Sequence, residues 1–321
     1  MLNRRALLGT VAVMSLFACK KGSSSGTLKI AVIPKGTTHE FWKAVHAGAE
    51  KAGKEANVEI IWKGPLKEDD LKAQIDVVQS FTAQGVNGIV LAPLSDKALV
   101  GSVKAAVDQK IPVVVFDSDL VGSDHASFVA TDNRAAGRQA GEEMVRLLNG
   151  KGKVVVLRYQ EGSASTTHRE EGFLEAVKKS PGIQVVSENQ YGGATTESAL
   201  SKSESLLSAQ NAATGGVTGI FAPNESTTFG MLLALQKAGL AGKVKFLGFD
   251  ASDKLLDGLK KGEIDGLIVQ DPFKIGYLAV KTMAAYLRKE PIEKRVDTGA
   301  KLVTKANLET PEIGALLHPP T

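Results

Sequence analysis

The stretch LKIAVIPKGTTHEFW, from Leu28 to Trp42, decides the fold that we predict for this chain. Its first six residues are apolar and rich in β-branched side chains, which is typical of a buried strand, and Pro34 ends that strand. A helical pattern begins at Glu40, with Phe41 and Trp42 in its first turn. The two rings would lie just past the carboxyl end of a strand, where open α/β sheets bind ligands. Two interpretations stay open for them: packing into the core, and forming one wall of a binding site.

The N-terminus carries the pattern of an export signal. Two arginines precede an apolar run over residues 7–17, which has signal-peptide length and is too short to cross a bilayer. Cys19, the only cysteine, follows this run after one alanine and resembles the lipobox of bacterial lipoproteins. The resemblance implies cleavage before Cys19 and acylation of its thiol and new amino group. An ordinary signal peptide with an incidental cysteine is the alternative. We predict a signal peptide over 1–18 and a flexible tether over 19–26.

Length and composition place the chain among soluble globular proteins. The 321 residues suffice for two domains of ordinary size, and 43% of them are hydrophobic and 23% charged. The formal net charge is +4, and no basic run with interleaved aromatic residues is present, so the sequence does not indicate nucleic-acid binding. With a single cysteine, an internal disulfide cannot stabilise the exported fold.

Strand-like and helix-like segments alternate along the rest of the chain, the helices marked by apolar residues at three- and four-residue spacing. The predicted strands span residues 28–33, 58–62, 88–91, 112–116, 154–157, 184–188, 218–221, 244–248 and 266–269. The predicted helices span 40–56, 68–84, 96–109, 133–148, 167–179, 197–209, 226–238, 253–260 and 274–288, with a break around 120–127. Such alternation implies right-handed crossovers and parallel strands. Because the strands are too many for one comfortable sheet, we predict an α/β fold with two similar doubly wound parallel-sheet lobes.

Polar side chains follow several of these strands, either where the strand ends or after the loop that comes next. The residues concerned are Asp117, Arg169, Asn224, Asp250 and Gln270. Because the carboxyl ends of parallel strands meet at one crevice, we expect these side chains to lie close together. Carboxylates accept hydrogen bonds from hydroxyls, arginine donates, and amides do both, so with the two aromatic rings they suit a sugar. Each also has a plainer interpretation: Asp250 and Asn224 as helix caps, and Arg169 as a solvated helix charge.

At this point the sequence resembles the periplasmic sugar-binding proteins of the ribose/galactose type, which are the type I solute receptors of ABC importers. The resemblance covers the chain from Leu28 to about Thr304. It is carried by residues 38–42, 113–118, 131–133 with Gly137 and Gly141, 162–173, 221–225, 247–250 and 268–276.

The resemblance implies a role for each matching position. Phe41 and Trp42 match the aromatic pair that sandwiches the sugar, and Asp117 matches the acid that binds ring hydroxyls. The matches to polar residues of the second lobe and the hinge are Arg169, Asn224, Asp250 and Gln270. The family fold also implies a hinge of three crossings. It divides the chain into one lobe of residues 27–129 plus 272–297 and another of 130–271 plus 298–321.

The chain departs from the ribose pattern at two places. Ser118 stands where the ribose receptor has arginine, and Thr38 or His39 stands where it has asparagine in the first loop. We include these three residues among the predicted ligand contacts and expect the loop from Lys35 to His39 to determine sugar specificity. The second-lobe aromatic, sought near Tyr191, stays unassigned.

We predict an exported, lipid-anchored receptor in the periplasm or at the cell surface that captures a monosaccharide or polyol and delivers it to an ABC permease. A sensor that binds a sugar or an autoinducer and docks a chemoreceptor or a sensor kinase is the alternative. We expect a monomer without metal ion, cofactor or nucleic-acid partner. The sequence lacks P-loop, nucleophile-elbow, dinucleotide and zinc-protease motifs, so we expect no enzyme. A glycosidase using a carboxylate pair such as Asp117 and Asp250 is a third hypothesis.

Overall fold

The computed structural model describes residues 27–122 and 124–318. The predicted signal peptide and tether, with Cys19, lie outside these residues, as do the last three residues of the chain. Within the described part, no helix combines the length and the apolar character needed to cross a membrane. The described chain forms two six-stranded sheets flanked by helices. This confirms the predicted α/β class.

The first sheet is parallel throughout and has the strand order β11-β5-β4-β3-β1-β2. Its strands are β1 (Lys29–Ile33), β2 (Glu59–Trp62), β3 (Gly88–Leu91), β4 (Val113–Phe116), β5 (Ser127–Ala130) and β11 (Arg295–Asp297). The helices that pack on it are α1 (Glu40–Ala56), α2 (Leu71–Gln84), α3 (Val100–Asp108) and α9 (Pro272–Leu287).

The second sheet repeats this order as β12-β10-β9-β8-β6-β7, with β12 antiparallel to β10. Its strands are β6 (Lys151–Arg158), β7 (Gly182–Tyr191), β8 (Gly219–Phe221), β9 (Lys245–Phe249), β10 (Gly266–Gln270) and β12 (Ala300–Val303). Its helices are α4 (Asn133–Leu147), α5 (Ala164–Val177), α6 (Thr196–Ala209), α7 (Glu225–Lys237), α8 (Asp253–Lys261) and α10 (Pro311–Leu317), with a short 3-10 turn at Ala212–Thr214. The chain passes between the sheets three times: after β5, after β10 and after β11.

Each sheet is covered on both faces, which explains the continuous apolar runs of its central strands. In β1, Ile30 and Val32 pack in the cluster formed with α1 and α9, whereas Ala31 and Ile33 pack in the cluster on the opposite face. The same alternation recurs in β6 between two further clusters. Buried apolar surface on both faces therefore holds the carboxyl ends of the strands in place.

Every predicted strand and helix is present in the structure, but three strands and one helix were not predicted. The strand β5 falls at the predicted break, because its buried Ser127 looks polar in sequence and is satisfied only by a tertiary bond to the Glu293 carbonyl (2.7 Å). The strands β11 and β12 are short segments at the sheet edges, and α10 is a seven-residue helix near the C-terminus.

The start of α2 also differs from the prediction, and this matters for the site. The predicted helix began at Glu68, whereas α2 begins at Leu71. The side chain of Asp70 accepts a hydrogen bond from the Ala73 amide (2.9 Å) and caps the helix there. Glu68 is therefore a loop residue, and it is buried.

Candidate functional site

A cavity lies between the carboxyl ends of the two sheets. The residues that line it are Lys35, His39, Phe41, Trp42, Glu68, Asp117, Tyr159, Ser165, Thr166, Arg169, Asn224, Glu225, Asp250 and Gln270. Eight of the ten residues predicted as ligand contacts are among them.

The two other predicted contacts, Thr38 and Ser118, lie outside the cavity lining. Thr38 is exposed and lines an adjoining open cleft. Ser118 is fully buried, and its hydroxyl accepts a hydrogen bond from the Ser165 amide across the two sheets (3.1 Å). In this structure Ser118 joins the sheets instead of facing the cavity.

Two aspartates occupy corresponding places in the two sheets. Asp117 follows Phe116 at the end of β4, and Asp250 follows Phe249 at the end of β9. Both have left-handed backbones, with φ of 60° and 68°. This region is uncommon for residues other than glycine, although aspartate tolerates it better than most. The repeated turn directs the chain away from each strand at the cavity and leaves a buried carboxylate there.

The two carboxylates have different partners. An oxygen of Asp117 lies 3.4 Å from the ammonium of Lys35. Asp250 accepts hydrogen bonds from Gln270 Nε2 (2.7 Å) and from the Glu225 amide (3.0 Å). Burial raises the pKa of Asp250, and the charge of Arg169 opposes that shift. The alternative of Asp250 as the cap of α8 is wrong, because Ser252 occupies the N-cap position.

Arg169 lies in α5 and is only 2% exposed, so it is not a solvated helix charge. Its guanidinium donates to Asn133 Oδ1 (2.7 Å), to the Pro223 carbonyl (3.0 Å) and to Gln270 Oε1 (3.0 Å). The group also lies 3.9 Å from the centre of the Phe249 ring. Burial lowers the pKa of Arg169 and nearby carboxylates oppose this, and an arginine remains charged in any case. Two further N–H groups have no partner among the described residues and can donate to a ligand.

Close helix packing sets the position of Arg169. A Cβ atom at Gly137 of α4 would lie 2.0 Å from the main-chain oxygen of Arg169. Only glycine allows α4 to approach α5 this closely. The backbone of α5 is therefore held against α4 while the side chain extends into the cavity lining.

Phe41 and Trp42 pack in the core and also line the cavity. The two interpretations of the sequence, core packing and a wall of the site, are therefore both correct. The two rings meet edge to face at 4.9 Å, and Trp42 meets Phe116 edge to face at 6.1 Å. They are 9% and 2% exposed. The indole N–H of Trp42 donates to Glu68 Oε1 (2.7 Å). Buried neighbours on several sides leave these rings little freedom to move.

Asn224 likewise combines two roles. Its side chain accepts from the Thr227 amide (3.3 Å) and forms a capping box at the start of α7. It also lines the cavity. A helix cap placed at the end of a strand thus supplies a polar group to the site.

His39 and Glu68 form a charged pair at the rim of the cavity, with His39 Nδ1 2.7 Å from Glu68 Oε1. Burial alone would lower the pKa of His39, but the hydrogen bond and charge of Glu68 outweigh it and raise this pKa to about 9. Burial alone would raise the pKa of Glu68, but His39, Lys35 and Tyr159 lower it to about 2. The pair is therefore ionised over a wide range of pH.

Glu225 contributes a carboxylate from the second sheet to a helix of the first. It accepts from the main-chain amides of Glu40 (3.4 Å) and Phe41 (3.2 Å) in the first turn of α1. A negative charge is favourable at this end of a helix. Burial raises the pKa of Glu225, and the charge of His39 opposes that shift.

Six residues of the cavity were not among the predicted ligand contacts: Lys35, Glu68, Tyr159, Ser165, Thr166 and Glu225. Two of them follow strands closely, Lys35 after β1 and Tyr159 after β6, so the rule used for the aspartates could have found them. Tyr159, directly after β6, is an aromatic residue of the second sheet that lines the cavity. Tyr191 is 40% exposed and does not line the cavity; the centre of its ring lies 5.9 Å from the guanidinium carbon of Arg158.

A family model described as a periplasmic binding protein domain matches residues 30–291. The chain belongs to this family. Among curated proteins, it is 30% identical to a D-ribose/D-allose-binding protein of Pseudomonas aeruginosa, over 86% of this chain and 88% of that protein. It is 27% identical to a xylitol-binding protein of Mycolicibacterium smegmatis, over 84% of this chain and 77% of that protein.

One solved structure is similar to the chain over most of its length. It is a carbohydrate transporter solute-binding protein from Agrobacterium radiobacter in complex with D-arabinose. The sequence identity is 36% and the TM-score 0.87, over 92% of this chain and all of that one. The two-lobed architecture predicted from the sequence is therefore that of the family.

Proposed function

We propose that this protein is the extracytoplasmic receptor of an ABC importer and that it captures a neutral monosaccharide or polyol. The observation that carries the proposal is the cavity itself, where an aromatic wall meets carboxylate, guanidinium and amide groups. Carboxylates accept from ligand hydroxyls and Arg169 donates to ligand oxygens. The relatives named for D-ribose, D-allose and xylitol, and the solved structure in complex with D-arabinose, support this class of ligand.

The charges of the cavity favour a neutral ligand. Three cationic side chains (Lys35, His39 and Arg169) line it beside four acidic ones (Glu68, Asp117, Glu225 and Asp250). A sugar acid would add a further negative charge where the acidic groups already outnumber the basic ones. A neutral polyhydroxy ligand satisfies donors and acceptors without that cost.

Capture involves two lobes, which we take as residues 27–129 plus 272–297 and 130–271 plus 298–321. Polar contacts join them around the cavity: Lys35 Nζ donates to the hydroxyls of Ser163 (3.2 Å) and Ser165 (3.1 Å). A ligand that binds both lobes favours the closed arrangement, because it binds that arrangement better than the open one. The closed surface is then the form that a permease recognises. Export, with a lipid anchor at Cys19, would hold the receptor at the membrane beside that permease.

Calorimetry with the mature chain tests the proposal, using D-ribose, D-allose, D-arabinose, D-galactose and xylitol. We expect a Kd in the micromolar range or below for at least one of them. D-galacturonate serves as the charged counterpart of D-galactose, and it should bind more weakly than the neutral sugar. If no neutral sugar or polyol binds with a Kd below about 1 mM, the proposed function is wrong.

A further inference from the structure

Glu68 joins the two sheets at the cavity through both of its carboxylate oxygens. Oε1 accepts from two groups of the first sheet's side, Trp42 Nε1 (2.7 Å) and His39 Nδ1 (2.7 Å). Oε2 accepts from the hydroxyl of Tyr159, which follows β6 of the second sheet. The main-chain oxygen of Glu68 accepts from Gln160 Nε2 of that same segment (3.1 Å).

Burial makes these bonds energetically important. Glu68 is 7% exposed and Tyr159 is 1% exposed. A buried carboxylate is costly unless it is paired and hydrogen-bonded, and a hydroxyl that donates to an ionised oxygen forms one of the stronger hydrogen bonds. The Tyr159 bond can exist only when the two sheets are brought together. The Trp42 and His39 bonds lie within one side of the cleft and do not need closure.

We propose that Glu68 is a positioning residue of this receptor: it orients Trp42 against the ligand and, through Tyr159, couples that orientation to closure of the lobes. The inference rests on the proposed function and adds to it a residue that lines the cavity and accepts a hydrogen bond from Trp42. A ligand that fits against the oriented indole then gains the Tyr159 bond on closure. A ligand that displaces the indole breaks the bond from Trp42 to Glu68 and moves the carboxylate away from Tyr159, so the Tyr159 bond does not form on closure. Glu68 therefore contributes to ligand selection.

The rates of binding separate this role from general support of the loop. Tyr159→Phe keeps the Trp42 bond and removes only the bond that closure makes. We expect its dissociation rate to rise about tenfold, in line with the loss of one charge-assisted hydrogen bond, with the association rate unchanged within about twofold. Tyr277→Phe is the matched control, because the Tyr277 hydroxyl donates to Glu55 (2.5 Å) on the exposed surface of α1 and α9. Its rates should equal those of the wild type.

Fluorescence of Trp42 provides the second readout. The chain has two tryptophans, so Trp62→Phe leaves Trp42 as the sole indole. In this background Glu68→Gln should shift the emission maximum with and without sugar, because an amide cannot accept from all three donors at once. Tyr159→Phe should shift it only in the sugar-bound protein.

The experiment uses stopped-flow binding of whichever sugar or polyol of the calorimetric panel binds the wild type most tightly. An unchanged dissociation rate in Tyr159→Phe, or unchanged Trp42 emission in Glu68→Gln, overturns the inference while the proposed function stands. If Tyr159→Phe and Glu68→Gln only lower the stability of the protein, and the dissociation rate does not rise relative to the association rate, Glu68 supports the loop alone. If the wild type binds no member of the panel, the proposed function fails first and the inference fails with it.

Discussion

Replacing Arg169 by lysine tests whether this buried cation serves the ligand or only the fold. The guanidinium makes three bonds of 2.7, 3.0 and 3.0 Å in three directions. Lysine keeps the charge but concentrates its donors at one point, so it cannot reach all three acceptors and also donate to a sugar. Each buried acceptor left without a donor costs about 1–3 kcal/mol. Arg169→Lys should therefore lower the free energy of unfolding by about 1–3 kcal/mol, which a protein of ordinary stability tolerates.

The loss of ligand affinity should be at least tenfold, or about 1.4 kcal/mol, measured by calorimetry beside urea unfolding. Arg158→Lys is the matched control, because Arg158 lies in β6, the strand on which α5 packs. Arg158 donates to the Glu188 carbonyl (2.6 Å) and to Glu170 (3.2 Å), and it does not line the cavity. It should lose comparable stability and keep its affinity. If Arg169→Lys loses stability but binds sugar like the wild type, Arg169 is a structural residue and the reasoning fails.

Three further predictions concern the first sheet's side of the cleft. Trp42→Ala should weaken sugar binding at least tenfold in calorimetry. Trp62→Ala should not, because Trp62 does not line the cavity. Equal losses of affinity in the two variants would contradict the role of Trp42 as a wall of the site. Lys35→Met should also weaken binding at least tenfold, because Asp117 loses its buried counter-charge. Its control is Lys29→Met, because Lys29 is exposed in β1 and pairs with Glu59 at the surface. Unchanged binding in Lys35→Met would refute the role. His39 has a pKa raised from 6.5 to about 9, so its contribution to stability is complete below pH 6.5 and is lost as pH rises through 9. The difference in unfolding free energy between wild type and His39→Gln should accordingly shrink over that interval, and a constant difference would disprove the pairing.

The pattern of the sequence was sufficient for the architecture. Buried parallel strands are recognised by short runs of β-branched residues, and amphipathic helices by apolar residues spaced three and four apart. Both patterns are local properties of the chain. The rule that ligands bind at the carboxyl ends of such strands then located Asp117, Asp250 and Gln270 correctly at the cavity. Strand β5 was not predicted, because the hydroxyl of its buried Ser127 donates to the carbonyl of Glu293, which is distant in sequence.

The tertiary structure decided which polar groups face one another. Glu68 looked like a residue on the first turn of a helix, and only the cap at Asp70 leaves it in a loop that reaches Trp42 and Tyr159. Ser118 was expected to face the ligand, but its hydroxyl is used by the Ser165 amide of the other sheet. The sequence by itself determined nine of the twelve described strands, nine of the ten described α-helices and the edge of each sheet where a site forms, because those depend on local periodicity. The partners across the cleft depend on how two separately folded sheets meet, which no local pattern encodes.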